Sequence, residues 1–136
     1  MVSRRKAAET SADVSLREAE TRLAELREFP NDWASYGGLP PTSLALKRAE
    51  LLVSELTRDF GQLLGDLATP NEISPNPDGG LELEWSAGDR MLGVEIGPEG
   101  SARYLMKVGK GSEGTYAKDE IPASASAVNH LLLTLR

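Results

Sequence analysis

The acidic side chains of Asp78-Gly79-Gly80-Leu81-Glu82-Leu83-Glu84-Trp85, joined by Glu95, form the densest group of carboxylates that one surface of this chain could carry. Acids gathered in one plane can hold a divalent metal for hydrolysis, or they can read the guanidinium and ammonium groups of a basic protein. Metal-dependent nuclease chemistry would place a Lys two residues beyond Glu82, and Glu84 stands there instead. That pattern therefore fails; a solvated sheet face is the ordinary reading of these acids, and an acidic docking surface for a basic protein is the sharper alternative. The glycines of Gly109-Lys110-Gly111-Ser112-Glu113-Gly114 look like a phosphate loop but lack the G-x-x-x-x-G-K-[ST] spacing. Ser74, Ser86 and Ser112 have no His partner with any sequence logic, because the single histidine, His130, sits beside an apolar helical stripe where a buried or boundary role is expected. With no Cys, thiol catalysis, disulfides and thiolate ligation are excluded together, and one His cannot make a zinc site without several carboxylates. No catalytic constellation, metal site or cofactor is expected.

The elements that must position these acids follow from hydrophobic period. Residues 1–12 hold Arg4, Arg5 and Lys6 with little apolar material and read as a flexible basic tail, followed by a single domain over 13–136. Ser15 and Glu18 match a capping box, and Leu16, Ala19, Leu23 and Leu26 then recur at helical steps until Pro30. A second helix, capped by Thr42 or Ser43, carries Leu46, Ala49, Leu52, Val53, Leu56, Phe60 and Leu63 on one stripe and ends near Gly65. From Glu72 the period changes to two, giving strands at EIS, LELEW, RMLGVEI and SARYLMKV, with TYAKDE as a short fifth. One face of this meander takes Leu81, Leu83, Trp85, Leu92, Val94 and Ile96, then Ala102, Tyr104, Met106 and Val108 or their alternates. The other takes Glu82, Glu84, Glu95, Arg103 and Lys107. A closing helix, capped by Ser124 or Ser126, buries Val128, Leu131, Leu132 and Leu135. The expected class is α+β: two N-terminal helices, an antiparallel meander of four to five strands, and a C-terminal helix packed on one face of the sheet.

Trp33-Ala34-Ser35-Tyr36-Gly37-Gly38-Leu39-Pro40 resembles the W-x-x-Y-G-A-x-P signature of small bacterial proteins, commonly written NWDGYGA-P. In that family a helix follows the signature, then a P-x-I-x-P-x-x-D-G-G-I-x-L-E-W segment and a strand pair around DG. Ile73 to Trp85 and then Gly97-Pro98-Glu99-Gly100 look similar. The resemblance runs from about Asn31 to about Tyr116, and it departs from the signature at Ala34 and Ser35, where the family has Asp and Gly. It implies an occurrence in mobile or defence-like genomic settings and brings no assigned chemistry. Gly37, Gly38, Pro40 and Pro41 explain the signature as a stiff turn, with Trp33 and Tyr36 covering the sheet edge or the end of the second helix. The structural reading leads; as the alternative, the same two aromatics would be contact residues for a partner.

A net charge of −6 argues against a nucleic-acid binder, since phosphate binding needs concentrated Lys and Arg. The longest apolar runs are far short of a membrane span, and no apolar segment follows the basic residues at the start, so a cytoplasmic protein without a signal peptide is expected. These readings combine into a non-enzymatic protein-binding module, antitoxin-like or accessory. It would use Glu82, Glu84, Glu95, Trp33 and Tyr36 toward a basic protein partner. The alternatives are a self-assembling subunit pairing through the first helix, and a small hydrolase or nuclease.

Overall fold

The computed structural model of the chain describes residues 11–30, 33, 38–109 and 114–135. Two helices, α1 (Ser11–Arg27) and α2 (Ser43–Leu64), precede a 3-10 turn at Gly65–Ala68. Five strands follow: β1 (Glu72–Pro75), β2 (Leu81–Ala87), β3 (Arg90–Ile96), β4 (Ala102–Val108) and β5 (Thr115–Ile121). Helix α3 (Ala125–Leu132) and a 3-10 turn at Leu133–Leu135 close the chain. Every strand pairs antiparallel with the next, so the sheet order is β1-β2-β3-β4-β5. The expected α+β architecture is the one formed. Among the described residues no helix is long and apolar enough to cross a membrane.

The caps explain where two of the helices begin. Thr42 Oγ1 accepts the Ala45 N–H at 3.1 Å to start α2, and Ser124 Oγ accepts the Ala127 N–H at 3.3 Å to start α3, each covering a backbone donor that the first turn leaves without a partner. Gly65 stops α2 in a positive-φ conformation, its N–H returning to the Gly61 carbonyl. The expected capping box at Ser15 does not mark a start. The chain is already helical at Ser11, so Ser15 lies inside α1 and cannot take the extended backbone that a cap needs. The basic tail of residues 1–12 falls outside the described residues up to position 10.

Strict alternation splits the sheet. Leu81, Leu83, Trp85, Leu92, Val94 and Ile96 are fully buried under the helices, and Ile73 and Ala102 nearly so. Tyr104 and Met106 are half-buried against the same core. The helical layer meets them with Ala19, Leu23 and Leu26 from α1, Ala45 to Leu56 at helical spacing from α2, and Val128 and Leu132 from α3. Burying large side chains such as Trp85 is worth roughly 3–5 kcal/mol each when judged by truncation to Ala. Two expectations are corrected. Leu63 is 47% exposed while Leu64 is buried, because about five turns of 3.6 residues from Leu46 bring position 64, not 63, onto the buried stripe. His130 is exposed, one position beyond the buried Val128 and Asn129. TYAKDE extends into a full seven-residue strand, exposed on both faces except at Ile121, since the helices cover the other end of the sheet and leave β5 as a bare edge.

The glycine-rich motifs meet at one end of the sheet. Leu39 bridges Asp78, its N–H donating to the Pro77 carbonyl at 2.9 Å, and the Thr42 N–H donates to the Gly79 carbonyl at 2.9 Å. The Thr42 hydroxyl donates to the Pro98 carbonyl at 2.7 Å, which ties the start of α2 to the β3–β4 turn as well. Asp78 Oδ1 accepts the Gly80 N–H at 2.8 Å and closes the β1–β2 turn. A side chain at Gly80 would place its Cβ 2.3 Å from the Ile96 carbonyl oxygen, a backbone atom that cannot step aside. Gly88, in the β2–β3 turn, needs only its positive φ of 64°, with open space around it. Gly80→Ala is therefore expected to cost about 3 kcal/mol or more through overpacking. Gly88→Ala should cost about 1–2 kcal/mol through backbone strain alone. Denaturant midpoints of the two variants check the order, and equal losses would contradict it.

Candidate functional site

All three helices lie against one face of the sheet, so the other face is uncovered by any described element, and the strand register fixes what it presents. One row across the five strands runs Ser74, Glu82, Glu95, Arg103, Glu120. The next runs Glu72, Glu84, Gly93, Leu105, Lys118, and a third holds Ser86, Met91, Lys107 and Tyr116. The face is sorted by charge. Strands β1 to β3 carry Glu72, Glu82, Glu84 and Glu95 with no cation, whereas β4 and β5 carry Arg103, Lys107 and Lys118 with Glu120.

Glu82 and Glu95 stand directly opposite each other, as do Glu72 and Glu84. Like charges in such pairs repel, and among the described residues none of the four makes an ion pair. Glu82 is the most confined. Its carboxylate lies over Gly93, where an added Cβ would stand 3.2 Å from Glu82 Oε2, so the glycine makes room for the acid. Burial is the main reason its carboxyl is pushed above the usual glutamate range, and the charges of Glu84, Glu95 and Glu72 push it the same way. On the cationic half, Lys107 Nζ sits 5.7 Å from the centre of the Tyr116 ring, a cation–π contact that holds the amine on this face. A shallow depression of about 230 Å³ marks the seam between the halves, lined by Glu95, Arg103, Leu105 and Lys118.

Of the residues expected to meet a partner, the register brings Glu82, Glu84 and Glu95 together. Trp33 is elsewhere. Its indole N–H donates to the Leu39 carbonyl at 2.6 Å and its ring packs edge-to-face on Phe29, 5.8 Å between centroids, so its contacts pin the loop before α2 to the end of α1. Tyr36 lies outside the described residues, as does Lys110 to Glu113 of the glycine-rich loop. Sequence reasoning missed Glu72 and Lys118. The alternation of Thr115 to Ile121 groups Lys118 with Tyr116 and Glu120, but only the pairing of Lys118 with Leu105 assigns that group to the open face.

A second concavity, of about 400 Å³, lies between α1 and the approach to β1, lined in part by Ser15, Glu18, Arg22, Asp66, Thr69 and Glu72. Its floor is structural. Arg22 Nε donates to the Ile73 carbonyl at 3.0 Å and the guanidinium stacks over Phe29, 5.8 Å from the ring centre, which fastens α1 along β1. Among the described residues no group of three or more His, Asp or Glu side chains is placed to hold a metal ion.

The raised Glu82 carboxyl has a definite sign in stability. A carboxyl whose folded pKa exceeds its unfolded value binds more protons in the native state. The penalty of its charge is thus complete above the folded pKa and is relieved as pH falls through it toward the ordinary glutamate value. Glu82→Gln is expected to stabilise the protein by about 0.5 kcal/mol at neutral pH, the scale of one cross-strand pair, and to lose that advantage in mild acid. Denaturant unfolding of both proteins across that window checks it; a variant less stable than the parent at neutral pH would contradict it. Comparison with protein-family models, with curated proteins and with solved structures finds no match, so this face is read from its own geometry.

Proposed function

We propose that the protein is a non-enzymatic protein-binding module whose open sheet face docks a basic partner. The observation that carries this reading is a set of four carboxylates held side by side on rigid strands, none engaged in an ion pair among the described residues. Such a set is costly to the free fold, because each charge raises the energy of the next, and a guanidinium or ammonium group arriving from outside would relieve that cost. Preorganisation on strands favours binding further, since the backbone that carries the acids has little freedom left to lose. The resemblance of the Trp33 to Pro40 and Ile73 to Trp85 segments to small bacterial proteins of defence-like settings supports an antitoxin-like or accessory role in the cytoplasm. In this reading Trp33 is structural, since its contacts are Leu39 and Phe29, and the acids carry recognition.

Affinity purification from the native host at low and at high salt tests the proposal. A basic partner is expected at low salt and is released at high salt, where exposed charges are screened. Reversing Glu82 and Glu84 to Lys should weaken capture by about tenfold or more, while Lys47→Glu, on the exposed side of α2, should leave it unchanged. Capture that survives both the salt and the reversal would remove the acidic face from the account.

A further inference from the structure

We propose that the open face is self-complementary, and that in the absence of another partner a second copy of this chain covers it face to face. The inference rests on the reading of this face as a docking surface and adds its resting occupant. Its basis is the sorting of charge across the strands. A half-turn about an axis parallel to the strands exchanges left and right across the sheet. It therefore lays Glu82 of one copy over Arg103 of the other and Glu72 over Lys118, with Glu84 over Leu105, while the central strand, with Glu95 and Gly93, faces its own counterpart. A half-turn about an in-plane axis across the strands would set acid on acid. Charge thus selects one symmetric arrangement, an isologous pair with strands nearly aligned, the geometry in which sheets stack. The seam between the halves suits close approach: Gly93 has no side chain, and Met91 and Leu105 are half-buried and apolar.

The area decides how strong this pairing is. Strands spaced about 4.8 Å apart and seven residues long at about 3.4 Å each give a face of roughly 20 by 23 Å, or about 450 Å² in projection. A standard stable interface buries about 800 Å² on each partner. The dimer is consequently weak and reversible, which suits a surface that must be surrendered to a partner. Pairing through α1 is not available in its place, because Ala19, Leu23 and Leu26 are buried within the domain.

Sedimentation of the full chain over a concentration series provides the test. At low salt the mass should rise with concentration from 14.6 kDa toward about twice that value, and it should fall back at about 1 M salt, where the screening length is about 3 Å. Two variants sharpen it: Glu82→Lys with Glu84→Lys, and Arg103→Glu with Lys118→Glu, each checked for folding by circular dichroism. Each alone should remain monomeric, and an equimolar mixture should recover the dimer. A parent that stays monomeric at every concentration, a dimer indifferent to both variants, or folded variants that do not recover on mixing would overturn the inference. The docking proposal fails separately. A monomer that still captures a basic partner through its acids sinks only the dimer, and a charge-dependent dimer that captures nothing sinks only the docking.

Discussion

The close approach of Gly80 to the Ile96 carbonyl is the constraint on which the rest of the molecule depends. It sets where β2 begins against β3, and in a structure with a side-chain period of two a one-residue slip of β2 would bury Glu82 and Glu84 and expose Leu81, Leu83 and Trp85. The surrounding bonds hold that junction from outside. Thr42 contributes three of them: it caps α2, donates its N–H to Gly79 and donates its hydroxyl to Pro98. The orientation of the helical layer and the register of the sheet are thereby set by the same few residues.

That arrangement gives the signature segments a physical meaning. The chain around Leu39 and Pro40, the Asp78-Gly79-Gly80 turn and the Gly97 to Gly100 turn are distant in sequence and adjacent in the fold. Their glycines and prolines serve backbone contact. The charged side chains gather instead on the open face of the sheet. There the exposed half of each strand has been freed from packing and carries charge.

Much of this was legible in the sequence, because a switch from a 3.6-residue to a two-residue period is a strong local signal. The buried set of β2 and β3 follows from alternation alone, and Thr42 and Ser124 are recognisable caps. The illegible parts depend on contacts between distant segments. Ser15 and Glu18 satisfy the capping-box pattern, yet the helix runs through them from Ser11. Leu63 and Leu64 both lie near the stripe of α2, and packing takes Leu64. Lys118 joins the open face only through a pairing formed across the β4–β5 connection, so the acidic half of the candidate site was visible and its cationic half was only partly so.

In the proposed function, interaction belongs to the open sheet face and the helical face is structural. Amine-reactive cross-linking in a lysate of the native host, followed by peptide mass spectrometry, tests that division most directly. Lys107 and Lys118 report on the sheet face and Lys47 on α2. Intermolecular cross-links concentrated at Lys107 and Lys118, to a partner or to a second copy, are the predicted result. Cross-links concentrated at Lys47, with the two sheet lysines freely modified but unlinked, would contradict it.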